Sequence, residues 1–443
     1  RHRTMYVSAL SVLVAAAVAG YADAFLKEVF HWRKLDFEYP DEASRNAAIS
    51  SGEFVPENNL PLGLEVWKEK LFITIPRWKS GIPASLTYLD VTDSEISPAL
   101  KPYPDWASHK IYENDNTTKV ISTFRIRVDE CDRLWVLDTG LADILGKAEQ
   151  LTPPKILIYD LITDKLIHQF LFDKAHIKDN SFFANIIVDV TPGKCEQAYA
   201  YIPDLGSYAV IVYNLFTDKS FRVRHHFFYM DPLSGNYNVG GVNFQWTDGI
   251  FSLALSPINK TDGSRTIYFH PLSSTMEFTV NSKILQNETI ANDDYYAYKV
   301  LGTRGPHSQA TASFLDPKTG VLFYTQINKN GVGCWNSFTH ADDFSPETNF
   351  LVASDNETMI FPNDLKVDRD SNLWLLTDKL PTHIYKKLDF GNINYRIFTG
   401  PVDEIVKGTV CEVKDTEKAV PTQSDKDVSE STSEQITTST EKS

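Results

Sequence analysis

The feature that most restricts the fold of this chain is a unit that recurs six times. An alternating strand ends in Asp or Pro, a loop follows, then a strongly apolar strand, then a third strand. The apolar middle strands are LFITIP (71–76), LWVLDT (134–139), AYAYIPD (198–204), TIYFHPL (266–272), LFYTQIN (322–328) and LWLLTDK (373–379). Strands before them include STFRIRVDE, ANIIVDVTP, GIFSLALSP, ATASFLDP and PNDLKVDRD. Strands after them include ASLTYLDV, KILIYDLIT, YAVIVYNLFT and THIYKKLDF. From about residue 60 to about residue 400 no helical period competes with this pattern, and Gly, Pro, Asn and Asp separate the runs.

Successive middle strands start 51 to 68 residues apart, which leaves room for four strands in each unit. One such blade cannot bury both of its faces, whereas a ring of blades buries each against its neighbours and leaves only short edges. The expected fold is all-β, a six-bladed β-propeller over residues 25–413. A pair of β-sandwiches is the competing arrangement, and the sixfold recurrence argues against it. The alternating aromatics of FLKEVFHWRKLDFEY (25–39) suit an outer strand that closes the last blade. Trp32, Trp67, Trp135 and Trp374 are expected to pack blades together.

The ends differ from this pattern. Residues 1–24 read as leader and signal peptide: Arg1 to Thr4 precede Met5, the run VSALSVLVAAAVAG (7–20) is too short and Ala-rich to span a bilayer, and Ala22-Asp23-Ala24 supplies a cleavage site. The expectation is a secreted, extracellular product with no membrane partner. Residues 414–443 are rich in Ser, Thr, Glu and Lys, with too little apolar surface to offset ordering, so a disordered tail is expected. Cys131, Cys195, Cys334 and Cys411 are even in number and none forms C-x-x-C, which suggests two disulfides with three possible connectivities. Sequons at Asn116, Asn259, Asn287 and Asn356 are expected surface glycosylation sites.

A net charge of -15 repels phosphate backbones, so no nucleic-acid partner is expected; it attracts small cations such as protonated amines, although solubility alone explains it better. There is no H-E-x-x-H, G-x-S-x-G or P-loop, so no metal or other cofactor is expected. A monomer is the expected state. His225-His226 stands out, but neighbours on a strand face opposite ways, so one in the core and one at the surface is expected rather than a shared metal. His307, in the loop GPHSQ, is expected in solvent.

Longer stretches then become recognisable: NNLPLGLEVWKEKLFITIPRWKSGIPASLTYL (58–89), PYPDW (102–106), VDECDRLWVLDTG (128–140), VNFQWTDGIFSLALSP (242–257), GCWN (333–336) and FPNDLKVDRDSNLWLLTDKLP (361–381). In these, and in their order, the chain resembles the yellow / major royal jelly protein family of insects. The resemblance implies a secreted six-bladed propeller and the pairs Cys131–Cys195 and Cys334–Cys411. Many relatives carry a further cysteine pair in the second unit; its absence here implies a looser blade. Cuticle-type members affect melanin pigmentation and some are reported to convert dopachrome; royal jelly members are nutritional; salivary members of blood-feeding flies bind serotonin and catecholamines. Residues 58–140 look most like the cuticle type. The implied function is melanin pigmentation through binding or converting catechol-derived, dopachrome-like indoles. The alternative is a biogenic amine-binding protein without catalysis, and a third reading is a structural or nutritional protein.

By alignment of FPND and LLTDKLP, the salivary amine site corresponds to Asn363, Asp378 and Leu380, where the salivary pattern has Thr, Asn and Phe. All three differ. Asp378 suits a charge-assisted bond to an ammonium group, and equally Asn363 and Asp378 suit strand-ending turns. Asp138 and Asp378 follow the same kind of strand, and such a carboxylate pair suits cation binding or proton transfer, with a repeated structural turn the heavier reading. Tautomerising a dopachrome needs a base, and Asp378 is the candidate catalytic residue.

Overall fold

The computed structural model describes residues 25–111 and 116–413. The leader reading (1–24) and the tail reading (414–443) lie outside the described residues. Among those described, six four-stranded antiparallel sheets form, with two small two-stranded ones. Blade 1 begins with Gly63–Trp67 and Lys70–Thr74, blade 2 with Thr123–Val128 and Arg133–Asp138, and blade 3 with Ile187–Thr191 and Lys194–Asp204. Blades 4, 5 and 6 begin with Ile250–Leu255 and Thr266–Pro271, Ser313–Leu315 and Val321–Gln326, and Pro362–Val367 and Asn372–Thr377. The first strand of each blade packs against the first strands of both neighbours, blade 6 against blade 1 included, which makes these six strands the inner wall of a closed ring. Closure comes from the N-terminus: Lys27–Trp32 pairs antiparallel with Tyr395–Pro401 as the outer strand of blade 6.

One recurrent device explains the V-D-x-x-x-x-L-W spelling of blades 2 and 6. Asp129 Oδ1 accepts from the Cys131 amide (2.9 Å) and Oδ2 from Trp135 Nε1 (2.7 Å). Asp368 does the same with the Asp370 amide (2.9 Å) and Trp374 Nε1 (2.8 Å). The turn needs a left-handed residue three positions after the aspartate, supplied by Asp132 (φ 55) and Ser371 (φ 61). Each buried indole N–H is thereby satisfied. Trp67 reaches across to Asp132 of the next blade (2.8 Å), and Trp32 donates to Pro98 O (2.9 Å), so all four expected tryptophans pack blades.

The disulfides are Cys131–Cys195, which staples blade 2 to blade 3, and Cys334–Cys411, which ties the segment after blade 6 to blade 5, with Cα separations of 5.9 and 6.2 Å. No helix among the described residues is long and apolar enough to cross a membrane.

One strand expectation fails. THIYKKLDF (382–390) is not the third strand of blade 6; Leu380–Tyr385 is a short helix, and the third strand is Tyr395–Pro401. Lys379 leaves the strand in the left-handed region (φ 52), and Pro381 then has the φ that a first helical turn needs. Leu380 and Ile384, four residues apart, both line the cavity at the ring mouth instead of alternating.

Candidate functional site

The starts of the inner strands and the ends of the second strands meet at one mouth of the ring and enclose a cavity of about 300 Å³. Its walls come from all six blades. Trp78 follows the second strand of blade 1, Phe124 opens blade 2, and Phe182 leads into blade 3. Phe251 comes from blade 4, Thr311 from the approach to blade 5, and Phe361, Asn363 and Leu380 from blade 6. The rings form a connected box: Trp78–Phe124 centroids are 5.5 Å apart, Phe124–Phe182 5.8 Å and Phe124–Phe251 6.0 Å. Arg77 is buried and donates to the carbonyls of Ile82 and Pro83 (both 2.9 Å) and Val120 (2.8 Å), which fixes the loop that presents Trp78.

A two-stranded hairpin, Asn236–Val239 with Val242–Gln245, turns through Gly240 and Gly241 (φ 56 and 72), a conformation suited to glycine. It leads to Trp246, whose Nε1 donates to Tyr385 Oη of the blade 6 helix (2.7 Å). Trp246 also meets Phe361 edge-on (5.9 Å), and Phe361 is a buried non-glycine residue in the left-handed region (φ 52). Such backbone strain persists only where its surroundings enforce it.

The three positions assigned by alignment fall together here, but not in one role. Asn363 and Leu380 line the cavity; Asp378 stands one hydrogen bond behind the wall. Asn363 is held from both ends: Oδ1 accepts from Arg125 Nη2 (2.9 Å) and Nδ2 donates to Asp378 Oδ2. The other Asp378 oxygen accepts from the Leu380 amide (3.0 Å). Arg125, wholly buried, also pairs with Asp364 (3.0 Å), and Lys366 completes that cluster (2.7 Å). Burial pushes the Asp378 carboxyl up to about 8, against the opposing pull of Asn363, the Leu380 amide and Arg125.

The sign of the resulting pH effect follows. The folded state keeps the Asp378 proton up to about pH 8, whereas an unfolded aspartate loses it near 4, so its stability contribution is fully present below 4 and is lost as pH rises toward 8. In urea titrations across that range, Asp378→Asn is expected to flatten this decline, whatever its offset; an unchanged slope contradicts the shift.

Asp138 is not the repeat partner of Asp378. Superposing LWVLDT on LWLLTD sets Asp138 against Thr377, one residue short, and a one-residue offset in a strand reverses the face. Its oxygens accept from the amides of Ile121 (2.6 Å), Ser122 (2.9 Å) and Gly140 (2.8 Å), with Lys155 Nζ at 3.6 Å. This is the structural turn. His225 is buried and His226 exposed, yet the pair is not on a strand: His225 caps a short 3-10 turn and the rings touch, with centroids 4.2 Å apart. His307 is exposed.

Sequence reading missed Asp248. It lines the cavity beside Trp246, and its carboxylate accepts no hydrogen bond and meets no cation among the described residues. Burial alone raises it to about 6. The only signal was its place in W-T-D-G, directly before the inner strand of blade 4.

Fold and site together define a class: a six-bladed propeller that holds a small aromatic pocket at one mouth. The family model described as Major royal jelly protein matches residues 121–411. Protein yellow of Drosophila erecta is 39% identical over 416 residues, covering 93% of this chain and 75% of that protein. Dopaminechrome tautomerase of Drosophila melanogaster is 39% identical over 401 residues, covering 88% and 85%. The chain belongs to the major royal jelly protein family, together with the yellow proteins.

Proposed function

We propose that this protein is a secreted pigmentation protein that takes a catechol-derived, dopachrome-like indole into the cavity and converts it to its dihydroxyindole tautomer. The observation that carries this reading is the cavity: about 300 Å³, at the lower end of small-molecule sites, walled by flat aromatic rings, with few polar groups. The similarity to a protein named Dopaminechrome tautomerase supports the choice of chemistry. Asn363 and Leu380 are the proposed ligand contacts, and Asp378 is proposed to act through Asn363 as a positioning residue.

A second reading is a carrier of biogenic amines without turnover, favoured by Asp248, because an unpaired carboxylate among aromatic rings suits an ammonium group. The test is the decay of dopachrome-type absorbance with and without the purified protein. Acceleration supports conversion; saturable binding of dopamine or serotonin without acceleration leaves the carrier; neither overturns both.

Secretion is supported by the two disulfides. For glycosylation, Asn259, Asn287 and Asn356 are exposed and each uses Oδ1 as an acceptor, from Thr261 N, Ile290 N and Asn330 Nδ2, leaving Nδ2 to carry a glycan. Asn116 is half-buried and is the weakest of the four sites.

A further inference from the structure

Asp248 is set in a rigid frame. On either side of it the backbone is fixed: Trp246 O accepts from Ser273 Oγ (2.9 Å), Thr247 O from Tyr208 Oη (3.0 Å), and Asp248 O from the Ser273 amide (3.1 Å). Gly249 N donates to Leu205 O (3.0 Å), and a Cβ at Gly249 would lie 2.3 Å from the Tyr208 ring and 2.6 Å from Phe228 O, so only glycine allows this approach. The main chain that carries Asp248 is therefore fixed beside the cavity.

Within that frame the carboxylate is left without a partner. The buried carboxylates of Asp138, Asp364 and Asp378 each accept hydrogen bonds through both oxygens. Asp248 accepts none among the described residues. An unpaired, largely desolvated carboxylate costs stability, and one held rigidly against a cavity calls for an explanation outside the fold. The walls supply a second observation: no Arg, Lys or His side chain among the described residues lines the cavity.

We infer that Asp248 is the base of this site, accepting a ring proton from an aminochrome that lacks a carboxylate of its own. This rests on the reading of the cavity as an indole site. In the step, the carboxylate takes a proton from a saturated carbon of the five-membered ring. The C–H electron pair becomes the new ring double bond, and electron density moves to the quinonoid oxygens. One oxygen takes up a proton, from water or from the Asp248 carboxyl; loss of a second proton from the neighbouring saturated ring carbon and protonation of the other oxygen then complete the dihydroxyindole. Substrate and product are isomers, so no oxidant or reductant is consumed. A substrate carrying its own carboxylate would meet the Asp248 charge with no cation on the cavity wall to offset it, Arg125 behind the wall being paired with Asp364. An amine-derived aminochrome has no such penalty. A carboxyl raised to about 6 is ionised at neutral pH and still basic enough for the transfer.

The test compares two substrates, the aminochrome made from dopamine and dopachrome itself, on the native protein and on Asp248→Asn. Native kcat/KM is expected to favour the dopamine product by about tenfold or more. Asp248→Asn is expected to lower kcat about 100-fold. Quenching of Trp78 and Trp246 fluorescence by 5,6-dihydroxyindole should persist in the variant, because no hydrogen bond of the fold is lost. In the native protein kcat/KM should rise with pH through about 6. The other groups at this mouth do not produce that limb: Asp378 titrates at about 8, and His383 is held at about 3 by burial. Lys79 is lowered by burial from an amine's range, the Tyr237 phenol is raised by burial, and Tyr385 accepts from Trp246.

Native-like turnover in Asp248→Asn overturns the inference while leaving the indole site standing. A native preference for dopachrome overturns the charge argument. Native protein that binds dihydroxyindole without converting either substrate overturns the proton transfer. Native protein that does neither removes the reading on which the inference rests.

Discussion

Arg125→Met is expected to cost the fold about 3 kcal/mol, read as a lowered urea midpoint with an unchanged slope. Arg125 lies wholly buried on the inner strand of blade 2 and holds three blades together. It pairs with Asp364 of blade 6 (3.0 Å), donates to Leu62 O ahead of blade 1, and donates to Asn363 O (2.8 Å). Its guanidinium also faces the Phe124 and Phe251 rings, at 5.2 and 5.9 Å. Methionine fills much of the volume but leaves Asp364 with one cation instead of two. Because Lys366 (2.7 Å) and the Leu64 amide (2.9 Å) remain on Asp364, the cost falls at the lower end for a broken buried pair. Asn363 loses the donor that orients its amide, so ligand affinity should fall in the same variant. Unchanged stability would mean that the axial charge cluster contributes nothing net to ring closure.

Trp32→Ala tests closure from the other side, with an expected loss of about 3 to 4 kcal/mol. Trp32 is 2% exposed, stacks with Phe30 (6.1 Å), and lies on the only strand of blade 6 that comes from the N-terminus. Removing it leaves a cavity at the joint, where Lys27–Trp32 pairs with Tyr395–Pro401, and leaves Pro98 O without its indole donor. An effect below about 1 kcal/mol would show that the outer strand is dispensable.

The ring was legible in the sequence because its signal is redundant. Six apolar middle strands, two of them announced by the same V-D-x-x-x-x-L-W turn, survive errors in any one of them. Even so, THIYKKLDF misled: its β-branched and aromatic residues read as a strand, while Lys379 and Pro381 and the placement of Leu380 and Ile384 on the cavity wall decide for a helix. The site was less legible, for a topological reason. Its walls are single residues from six distant blades, so no local spacing marks them. Alignment drew attention to Asn363, Asp378 and Leu380, which do cluster, but it could not tell a wall residue from one standing behind the wall. The similarity between Asp138 and Asp378 dissolved on a one-residue offset. Asp248 stayed hidden because what distinguishes it is the lack of a partner, which only coordinates reveal.

Calorimetric titration of the protein with 5,6-dihydroxyindole, dopamine and serotonin, in the native form and as Leu380→Trp, tests the central claim most directly. Leu380 is buried on the cavity wall, and an indole side chain there occupies the space a ligand needs. The account predicts one saturable site in the native protein and an affinity at least about tenfold weaker in the variant, a loss of about 1.4 kcal/mol. No heat with any of the three from folded native protein, or binding that Leu380→Trp leaves unchanged, would contradict it.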